Sequence, residues 1–445
     1  MSSSAVLRQL QRYESRNVTF IDPDGSWPIV WKRARGVNVW DEEGRRYLDL
    51  TAAFGVAAAG HAHPKVVAAG QRQLAVMPHA MGDVHPHALK GKLARVLSEL
   101  TFERWSPANR QLAKPDLAGK TIFCSSGFEA VEAAMKTAVR ATGKSGIIAF
   151  EGGYHGVGYG ALNATHRAHF KDRLESQLRG FGHFVAWPAS EDHSKAEAQT
   201  LRRMEKAIEA LIQKHPIGAI LVEPIQARGG IRIPPSGFLQ LLRSVCDRHG
   251  VLLILDEIYT GFGRTGYWFG CDGAGVMPDI VCLGKALTGG FPLSACVGRS
   301  DVMDAAWPPS DGEAIHTSTF LGNPVGCAMA LAQIGLIGSE SLVLKSASRG
   351  VEFLAELTSV AAEFTSRGHR AIARGRGLML GLEFCKADGS PDSKTALRIV
   401  KDLLRNGVIV LPEGEQSNVI GLTPPLSISP RQIKLAVAAL RKLAT

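Results

Sequence analysis

The chain of 445 residues lacks several features that would place it in a specialised class of protein. No uncharged apolar run reaches the roughly 20 residues that a helix needs to cross a bilayer. The first 16 residues, MSSSAVLRQLQRYESR, lack the apolar segment of a secretory signal. These absences predict a cytoplasmic protein that is neither inserted in a membrane nor exported.

Cysteine is scarce and unevenly placed. The seven cysteines cannot all pair, none stands in a C-x-x-C, and they are scattered from Cys124 to Cys385. This pattern argues against a disulfide framework and a structural zinc site, and it predicts reduced, mostly buried thiols. No metal is predicted at the histidines of the first part of the chain, which lack paired carboxylates at a suitable spacing: His61, His63, His79, His85 and His87.

The charge is basic, but the sequence contains no dense basic run. Fifty-one Lys and Arg residues oppose 41 Asp and Glu residues, which gives a formal net charge of +10. Because the basic residues are spread along the chain, we predict a solvated surface with a site for anionic ligands, and no nucleic-acid or membrane partner. The composition is that of a globular protein, and the length exceeds the roughly 250–300 residues that one core supports.

From about residue 120, short apolar runs alternate with segments of helical spacing. The runs show no polar alternation, which is typical of strands covered on both faces, so we predict an α/β fold with a mainly parallel sheet flanked by helices. An earlier turn sequence predicts a hairpin over residues 37–49. The predicted strands of the sheet span residues 121–125, 146–150, 217–223, 251–255, 279–283 and 293–297.

We divide the chain into three parts. Residues 60–330 are predicted to form a large domain around the main sheet. Residues 331–445, with helical segments and with strand-like runs at 377–384 and 407–411, are predicted to form a smaller α/β domain. Residues 1–59 are predicted to be an N-terminal segment that joins the small domain.

Three predicted strand ends carry residues suited to chemistry, and ligands of α/β sheets bind at such ends. Ser126 starts a predicted helix and could bind an anion, or it could be an ordinary N-cap with Glu129. Asp256 could bind a metal, a ribose hydroxyl or a cationic ring nitrogen, or be satisfied internally. Lys285 could be a buried nucleophile or a lysine that extends to solvent. Together, an anion site, a carboxylate and an amine are the set that holds pyridoxal phosphate.

The chain resembles the class III (ω-type) pyridoxal-phosphate aminotransferases of fold type I. The similarity covers nearly the whole chain and implies pyridoxal 5′-phosphate as cofactor in the large domain. The segments that carry the resemblance, in the family's order, are GVNVWDEEGRRYLD (36–49), GHAHPK (60–65), SGFEAVEAAMKTAVRATG (126–143), GGYHG (152–156), VEPIQ (222–226), LDEIYTGFGRTG (255–266), PDIVCLGKAL (278–287) and TSTFLGNPVG (317–326).

The resemblance implies two catalytic residues. Lys285 is expected to carry the cofactor covalently and to move the proton at the substrate carbon. Asp256 is expected to pair with the nitrogen of the cofactor ring and to keep it protonated. Tyr154 and Ile258 are expected on the two faces of the ring, and Glu223 near its polar edge.

The same resemblance implies how the phosphate is held. Ser126, Gly127 and Phe128 are expected to bind it at the start of a helix. Thr319 is expected to reach the phosphate of the neighbouring subunit, which implies a homodimer or a higher assembly with shared active sites.

The sequence departs from the family's pattern around the substrate. Gly421 stands where members that use glutamate carry an arginine before Pro-Pro-Leu, and Arg228 stands where an acid is common. Arg228 either supplies the missing positive charge or is solvated or paired with Glu413 or Glu415. Phe54 is expected to offer apolar contact to a substrate that has no carboxylate near the reacting carbon.

The predicted function is transfer of an amino group from a primary amine or amino acid to a keto acid or aldehyde, in a ping-pong reaction. A racemase, mutase or decarboxylase on the same fold is the alternative, as is a non-catalytic protein built on it. A dinucleotide-dependent oxidoreductase is disfavoured, because no G-x-G-x-x-G follows the first strand of the sheet.

Overall fold

The computed structural model describes residues 2–22, 25–106, 118–188 and 194–444, except for the side chains of residues 194–196. Its helices are α1 Ser3–Tyr13, α2 Ala52–Gly55, α3 Pro64–Val76, α4 Ala88–Leu100, α5 Phe102–Trp105, α6 Gly127–Thr142, α7 Tyr159–Leu162, α8 Ser194–Lys214, α9 Phe238–His249, α10 Ser300–Ala306, α11 Pro324–Ser339, α12 Leu342–Ser366, α13 Ser393–Arg405 and α14 Pro430–Leu443. Its strands are β1 Trp31–Arg35, β2 Asn38–Asp41, β3 Arg46–Asp49, β4 Gly119–Cys124, β5 Gly146–Phe150, β6 Gly182–Val185, β7 Ile217–Val222, β8 Leu252–Asp256, β9 Ile280–Leu283, β10 Ser294–Arg299, β11 Arg370–Arg376, β12 Met379–Cys385, β13 Val408–Ile409, β14 Leu411–Glu413 and β15 Val419–Leu422.

A seven-stranded sheet in the order β4-β10-β9-β8-β7-β5-β6 forms the centre of the molecule. Only β10 runs antiparallel to its neighbours, so the predicted mainly parallel sheet is confirmed. All six predicted strands are present, with ends displaced by at most two residues. The sequence analysis missed β6, because this edge strand (GHFV) is only partly buried and has no continuous apolar run.

Both faces of the sheet are covered, as the uninterrupted apolar strands predicted. Along β5, Ile147 and Ala149 pack into one cluster with the apolar face of α6. Ile148 and Phe150 pack into the larger cluster on the opposite face, which includes Phe238 of α9. Every residue of β5, β7 and β9 is buried, so the strand ends carry their polar residues to one edge of a rigid layer.

Two smaller sheets complete the fold. One has the order β1-β2-β3-β13, and β2 and β3 form the predicted hairpin. Its last strand comes from the C-terminal part of the chain, with Val408 beside Leu48 in parallel register. The other sheet has the order β11-β12-β15-β14. The apolar run over 407–411 was predicted as one strand, but it is divided between β13 and β14, which belong to different sheets.

The long helices α11 and α12 follow the large sheet in the chain. Within the described ranges, no helix is by itself long and apolar enough to cross a bilayer. Helices α11 and α12 meet that test only as a pair, and the pair is bent by 60° at its break.

Candidate active site

A cavity of about 430 Å³ lies beside the carboxyl ends of the central strands. Nine of the eleven residues that the sequence analysis assigned to the site line it, whereas Ser126 and Thr319 do not. The nine are Phe54, Gly127, Phe128, Tyr154, Glu223, Arg228, Asp256, Ile258 and Lys285.

The start of α6 forms one end of this cavity. Glu129 accepts hydrogen bonds from the backbone N–H groups of Ser125 (2.7 Å) and Ser126 (3.0 Å), which fixes the turn that precedes the helix. The Ser126 hydroxyl oxygen is buried and has no hydrogen-bond partner among the residues that the structure describes. A side chain at Gly127 would approach Ile258 to 3.1 Å, so glycine lets that residue pack close to the helix start. The first N–H groups of a helix lack partners within it, and together with the hydroxyl they can bind an anion.

Asp256 ends β8 and is held by two partners. One carboxylate oxygen accepts from the Ile258 backbone N–H at 3.1 Å, and the other lies 2.8 Å from Nδ1 of the buried His155. Burial opposes a charge on His155, but the hydrogen bond to Asp256 and the Asp256 charge outweigh it and raise the pKa of His155. This pairing keeps the Asp256 carboxylate in one orientation toward the cavity. The backbone N–H of His155 donates to Thr165 Oγ1 at 2.9 Å, which fixes the histidine in turn.

Glu223 follows β7 and is buried beside this pair. Its two carboxylate oxygens accept from the backbone N–H groups of Tyr154 (3.1 Å) and Ala227 (3.0 Å). Burial raises the pKa of Glu223 to about 7, so the side chain can be a proton donor as well as an acceptor near neutral pH. These bonds also fix Tyr154 and the loop that carries Arg228 relative to each other.

Lys285 lies just after β9 and offers an amine that is not engaged. Within the described part of the chain, no carboxylate lies within 4 Å of Lys285 Nζ, which lies 4.7 Å from the centre of the Tyr259 ring. Burial lowers the pKa of Lys285 and so favours the neutral, nucleophilic form. Its backbone φ is +39°, in the left-handed region that side chains other than glycine rarely adopt.

Phe54 reaches the cavity from a turn with an unusual backbone. Ala52, Ala53 and Phe54 all have positive φ angles, of 47°, 49° and 59°. Asp49 stabilises the start of this turn, because its carboxylate accepts hydrogen bonds from the backbone N–H (2.8 Å) and the hydroxyl (2.6 Å) of Thr51. Strained turns of this kind persist only where surrounding bonds determine them, which indicates a fixed position for the half-exposed Phe54 ring.

Arg228 lines the cavity and forms an ion pair with Glu413. Its Nε lies 3.9 Å from Glu413 Oε2, and its guanidinium carbon lies 5.4 Å from the centre of the Tyr154 ring. The sequence analysis left open whether Arg228 faces substrate or pairs with Glu413. In the structure Arg228 pairs with Glu413, and about a third of its side chain remains exposed.

Thr319 and Glu413 lie outside the cavity lining. Thr319 is on an exposed loop before α11, away from the cavity of its own chain. Glu413 was named only as an alternative partner of Arg228, and the structure places its carboxylate 3.9 Å from Arg228 Nε. No local pattern marks this position, since it depends on the pairing of β14 with β15.

The comparisons with known proteins identify the family. The model of the class III aminotransferases matches residues 21–443. An acetylornithine aminotransferase from Methanopyrus kandleri is 36% identical, covering 93% of this chain and 94% of its own. The 5-aminovalerate aminotransferase DavT of Pseudomonas aeruginosa is 34% identical, covering 93% and 92%. A PLP-bound amine transaminase from an uncultivated Pseudomonas species superposes with a TM-score of 0.86 at 30% identity, covering 97% and 98%.

The chain therefore belongs to the class III aminotransferases. It is an enzyme of fold type I that transfers amino groups, and its cofactor is pyridoxal 5′-phosphate. The predicted family, fold class, activity and cofactor are thus confirmed, and the alternative chemistries on this fold are set aside.

The residues present fit this cofactor. The buried Ser126 hydroxyl, for which the described residues offer no partner, lies beside the first N–H groups of α6, and this combination suits a phosphate. Lys285 supplies a free amine in the same cavity, and Asp256 supplies an oriented carboxylate. When bound, pyridoxal phosphate supplies an aldehyde that exchanges with amines and an aromatic ring that withdraws electrons from the substrate carbon.

Proposed function

We propose that this enzyme transfers an amino group from a primary amine or ω-amino acid to a keto acid or aldehyde in a ping-pong reaction. The observation that carries the proposal is one cavity holding a free Lys285 amine, the Asp256–His155 pair and a partly exposed Arg228. The relatives are named for 5-aminovalerate and acetylornithine, substrates that carry a carboxylate away from the amino group transferred.

The residues that the sequence analysis assigned to the site have the following roles in the proposed reaction. Lys285 binds the cofactor and moves the proton at the substrate carbon. Asp256, oriented by His155, stabilises positive charge on the cofactor ring. Ser126, Gly127 and Phe128 hold the phosphate.

The remaining roles concern the faces of the ring and the substrate. Tyr154 and Ile258 enclose the ring, and Glu223 orients its polar edge through a carboxylate held by two backbone N–H groups. Phe54 gives apolar contact to the substrate.

Arg228 is proposed to bind the carboxylate of the substrate that bears one. A guanidinium stays charged at all relevant pH values and can bind a carboxylate through two parallel hydrogen bonds. Gly421 stands where family members that use glutamate carry an arginine, so Arg228 is proposed to supply the guanidinium from its own position in the cavity.

The Arg228→Ala variant should lose about 10–100-fold in kcat/KM for the half-reaction of the carboxylate-bearing substrate, since a hydrogen bond to a charged group contributes about 1.5–3 kcal/mol. The half-reaction of an amine without a carboxylate should change little. Stopped-flow kinetics of each half-reaction measure both effects. Arg173→Ala, at a side chain that is 93% exposed, is the control. Small and equal effects on both half-reactions would show that Arg228 does not bind the substrate's carboxylate.

We further propose that the working unit is a homodimer in which Thr319 binds the partner's phosphate. Thr319 is exposed and lies outside its own cavity. The loop that carries Thr319 contacts residues 79–84. The Thr317 hydroxyl donates to Asp83, and the ring centres of Phe320 and His79 lie 5.5 Å apart. Phe320 is 59% exposed, and the neighbouring segment exposes further apolar side chains at Met81 and Val84. Apolar side chains exposed together are typical of an interface.

The Thr319→Ala variant should bind pyridoxal phosphate about 10–100-fold more weakly, because one hydrogen bond to a charged phosphate is lost. Titration of the cofactor-free enzyme, with sedimentation to confirm the dimer, measures this. Ser318→Ala, at the adjacent exposed residue, should leave cofactor affinity unchanged. A fully active monomer at assay concentration would refute the shared site.

The division of the chain remains a proposal of the same kind. We place the large cofactor-binding domain at 60–330 and the small domain at 331–445, joined by residues 1–59. The parallel pairing of β3 with β13 supports the assignment of the N-terminal segment to the small domain.

A further inference from the structure

Tyr259 lines the same cavity as Lys285 and lies three residues after Asp256, in the turn that follows β8. Its hydroxyl and its ring have different surroundings. The hydroxyl oxygen lies 3.1 Å from Oγ1 of Thr423, in the segment after β15. The ring faces the amine of Lys285, with Nζ at 4.7 Å from the ring centre. The two ends of this side chain therefore make different contacts.

The hydroxyl of Tyr259 is engaged with Thr423. Thr423 is buried, and its hydroxyl donates to the Thr51 carbonyl at 3.2 Å. Because a threonine hydroxyl has a single proton, the hydrogen bond between the two hydroxyls must use the proton of Tyr259. Burial raises the pKa of Tyr259, which keeps that proton in place. The hydroxyl proton is therefore donated to Thr423 and is not available to a substrate in the cavity.

The ring of Tyr259 packs against the turn that carries Phe54. A Cβ at Gly55 would lie 3.0 Å from Cε1 of the ring, so glycine lets the turn approach the ring closely. Gly55 also has a φ of +79°, which side chains other than glycine rarely adopt. The backbone N–H of Thr423 donates to the Leu50 carbonyl at 2.7 Å, just before the same turn. The ring and its hydroxyl partner are thus held by one rigid part of the fold.

The tyrosine ring is a close neighbour that attracts the protonated amine of Lys285. The face of an aromatic ring carries negative potential and attracts a cation within about 6 Å of its centre. Burial lowers the pKa of Lys285. The more distant charges of Asp256, Glu223 and Glu413 oppose this fall, whereas the charge of Arg228 adds to it. The ring contact therefore opposes the effect of burial without placing a carboxylate on the amine.

We propose that Tyr259 is a positioning residue for amino transfer, and that its ring rather than its hydroxyl holds the Lys285 amine in place. The proposal rests on the role given above to Lys285. A carboxylate in the same place would hold the amine in its charged, unreactive form. A ring face attracts the amine more weakly and offers it no proton acceptor, so the amine stays free to react. Tyr259 acts through Lys285.

The test measures the reactivity of the Lys285 amine in the full-length enzyme without its cofactor. Trace acetylation with acetic anhydride over a range of pH, followed by peptide mapping, gives the pH at which the amine is half reactive. Tyr259→Leu removes the ring that favours the charged form, so this midpoint should fall by about one pH unit, a tenfold shift in protonation. Tyr259→Phe keeps the ring, so its midpoint should stay within about 0.3 pH unit of wild type.

Turnover of the loaded enzyme provides a second measurement. Tyr259→Leu should slow the single-turnover half-reaction by about 10–100-fold, because a displaced proton-transfer group slows the chemical step. The dissociation constant of the amine donor should change by less than about threefold, since the ring acts on Lys285 and not on the substrate. Tyr267→Leu, at a tyrosine that is 45% exposed and outside the cavity lining, is the matched control and should change neither measurement. Tyr259→Met provides a second side chain without a ring should the Leu variant fold poorly.

An unchanged midpoint in the folded Leu and Met variants would overturn the inference, because the ring would then have no effect on the amine. An equal fall in Tyr259→Phe would also overturn it, because the hydroxyl would then be responsible. Borohydride reduction of the loaded wild-type enzyme tests the role of Lys285 separately. If the cofactor were found on another lysine while the midpoint moved as expected, the role of Lys285 would fail and the contact of its amine with Tyr259 would be confirmed.

Discussion

The Lys285→Ala enzyme should lose turnover by about 10³-fold or more, because positioned proton transfer alone contributes about 10²–10⁴-fold. The partly buried Lys285 amine lines the same cavity as Asp256, and no other described residue of the cavity carries a primary amine. Steady-state assays with an amine donor and a keto acceptor measure the loss. Borohydride reduction of the loaded wild-type enzyme, followed by peptide mapping, should place the cofactor on Lys285.

Two control variants sharpen this experiment. Lys285→Arg keeps the positive charge but removes the nucleophilic amine, so it should be as inactive as Lys285→Ala. Lys136→Ala, at an exposed lysine of α6, should retain normal turnover. A reduced cofactor found on another lysine, or residual activity within tenfold of wild type, would contradict the assignment.

The Asp256→Asn variant should keep its cofactor but slow proton abstraction by about 10²–10³-fold, which is the usual loss in rate when one preorganised group that stabilises developing charge is removed. The helix α6 phosphate site and Lys285 are untouched, which is why retention of the cofactor is expected. Single-turnover kinetics and the visible absorbance of the bound cofactor measure rate and retention separately.

The same variant has a second, independent signature at His155. Without the Asp256 charge, burial dominates and the pKa of His155 should fall, which proton NMR titration can follow. Asp304→Asn, at a side chain that is 59% exposed, is the control for the chemical change. Near-native turnover by the Asp256→Asn enzyme would remove this residue from the mechanism.

The main sheet could be predicted because its strands are buried on both faces and so appear as unbroken apolar runs. Strand β6 could not, since an edge strand needs only one buried residue, Val185, and the rest of GHFV carries no pattern. The assignment of β13 and β14 to different sheets could not be predicted from the sequence either. Both halves of the run at 407–411 are apolar, and the choice of sheet depends on partners more than 350 residues away in one case.

The candidate site likewise contains residues whose positions could be predicted from the sequence and residues whose positions could not. Lys285, Asp256 and Gly127 could be predicted because each directly follows or precedes a recognisable strand or helix. The position of Glu413 could not, because a strand of three residues gives no periodicity, and no local pattern shows that the Glu413 side chain lies against Gly421 of the neighbouring strand. The positive φ angles of the turn at Ala52 and Ala53 are likewise set by the bonds of Asp49, not by local preference.

The backbone at Lys285 has a consequence for how this enzyme can be stabilised. A residue other than glycine held at a positive φ costs on the order of 1–3 kcal/mol, which the rest of the fold must offset. Glycine would relax that position and gain stability, yet it would remove the amine. With the catalytic role proposed for Lys285, stability and activity oppose each other at this residue, so ranking variants by melting temperature alone would select against the lysine.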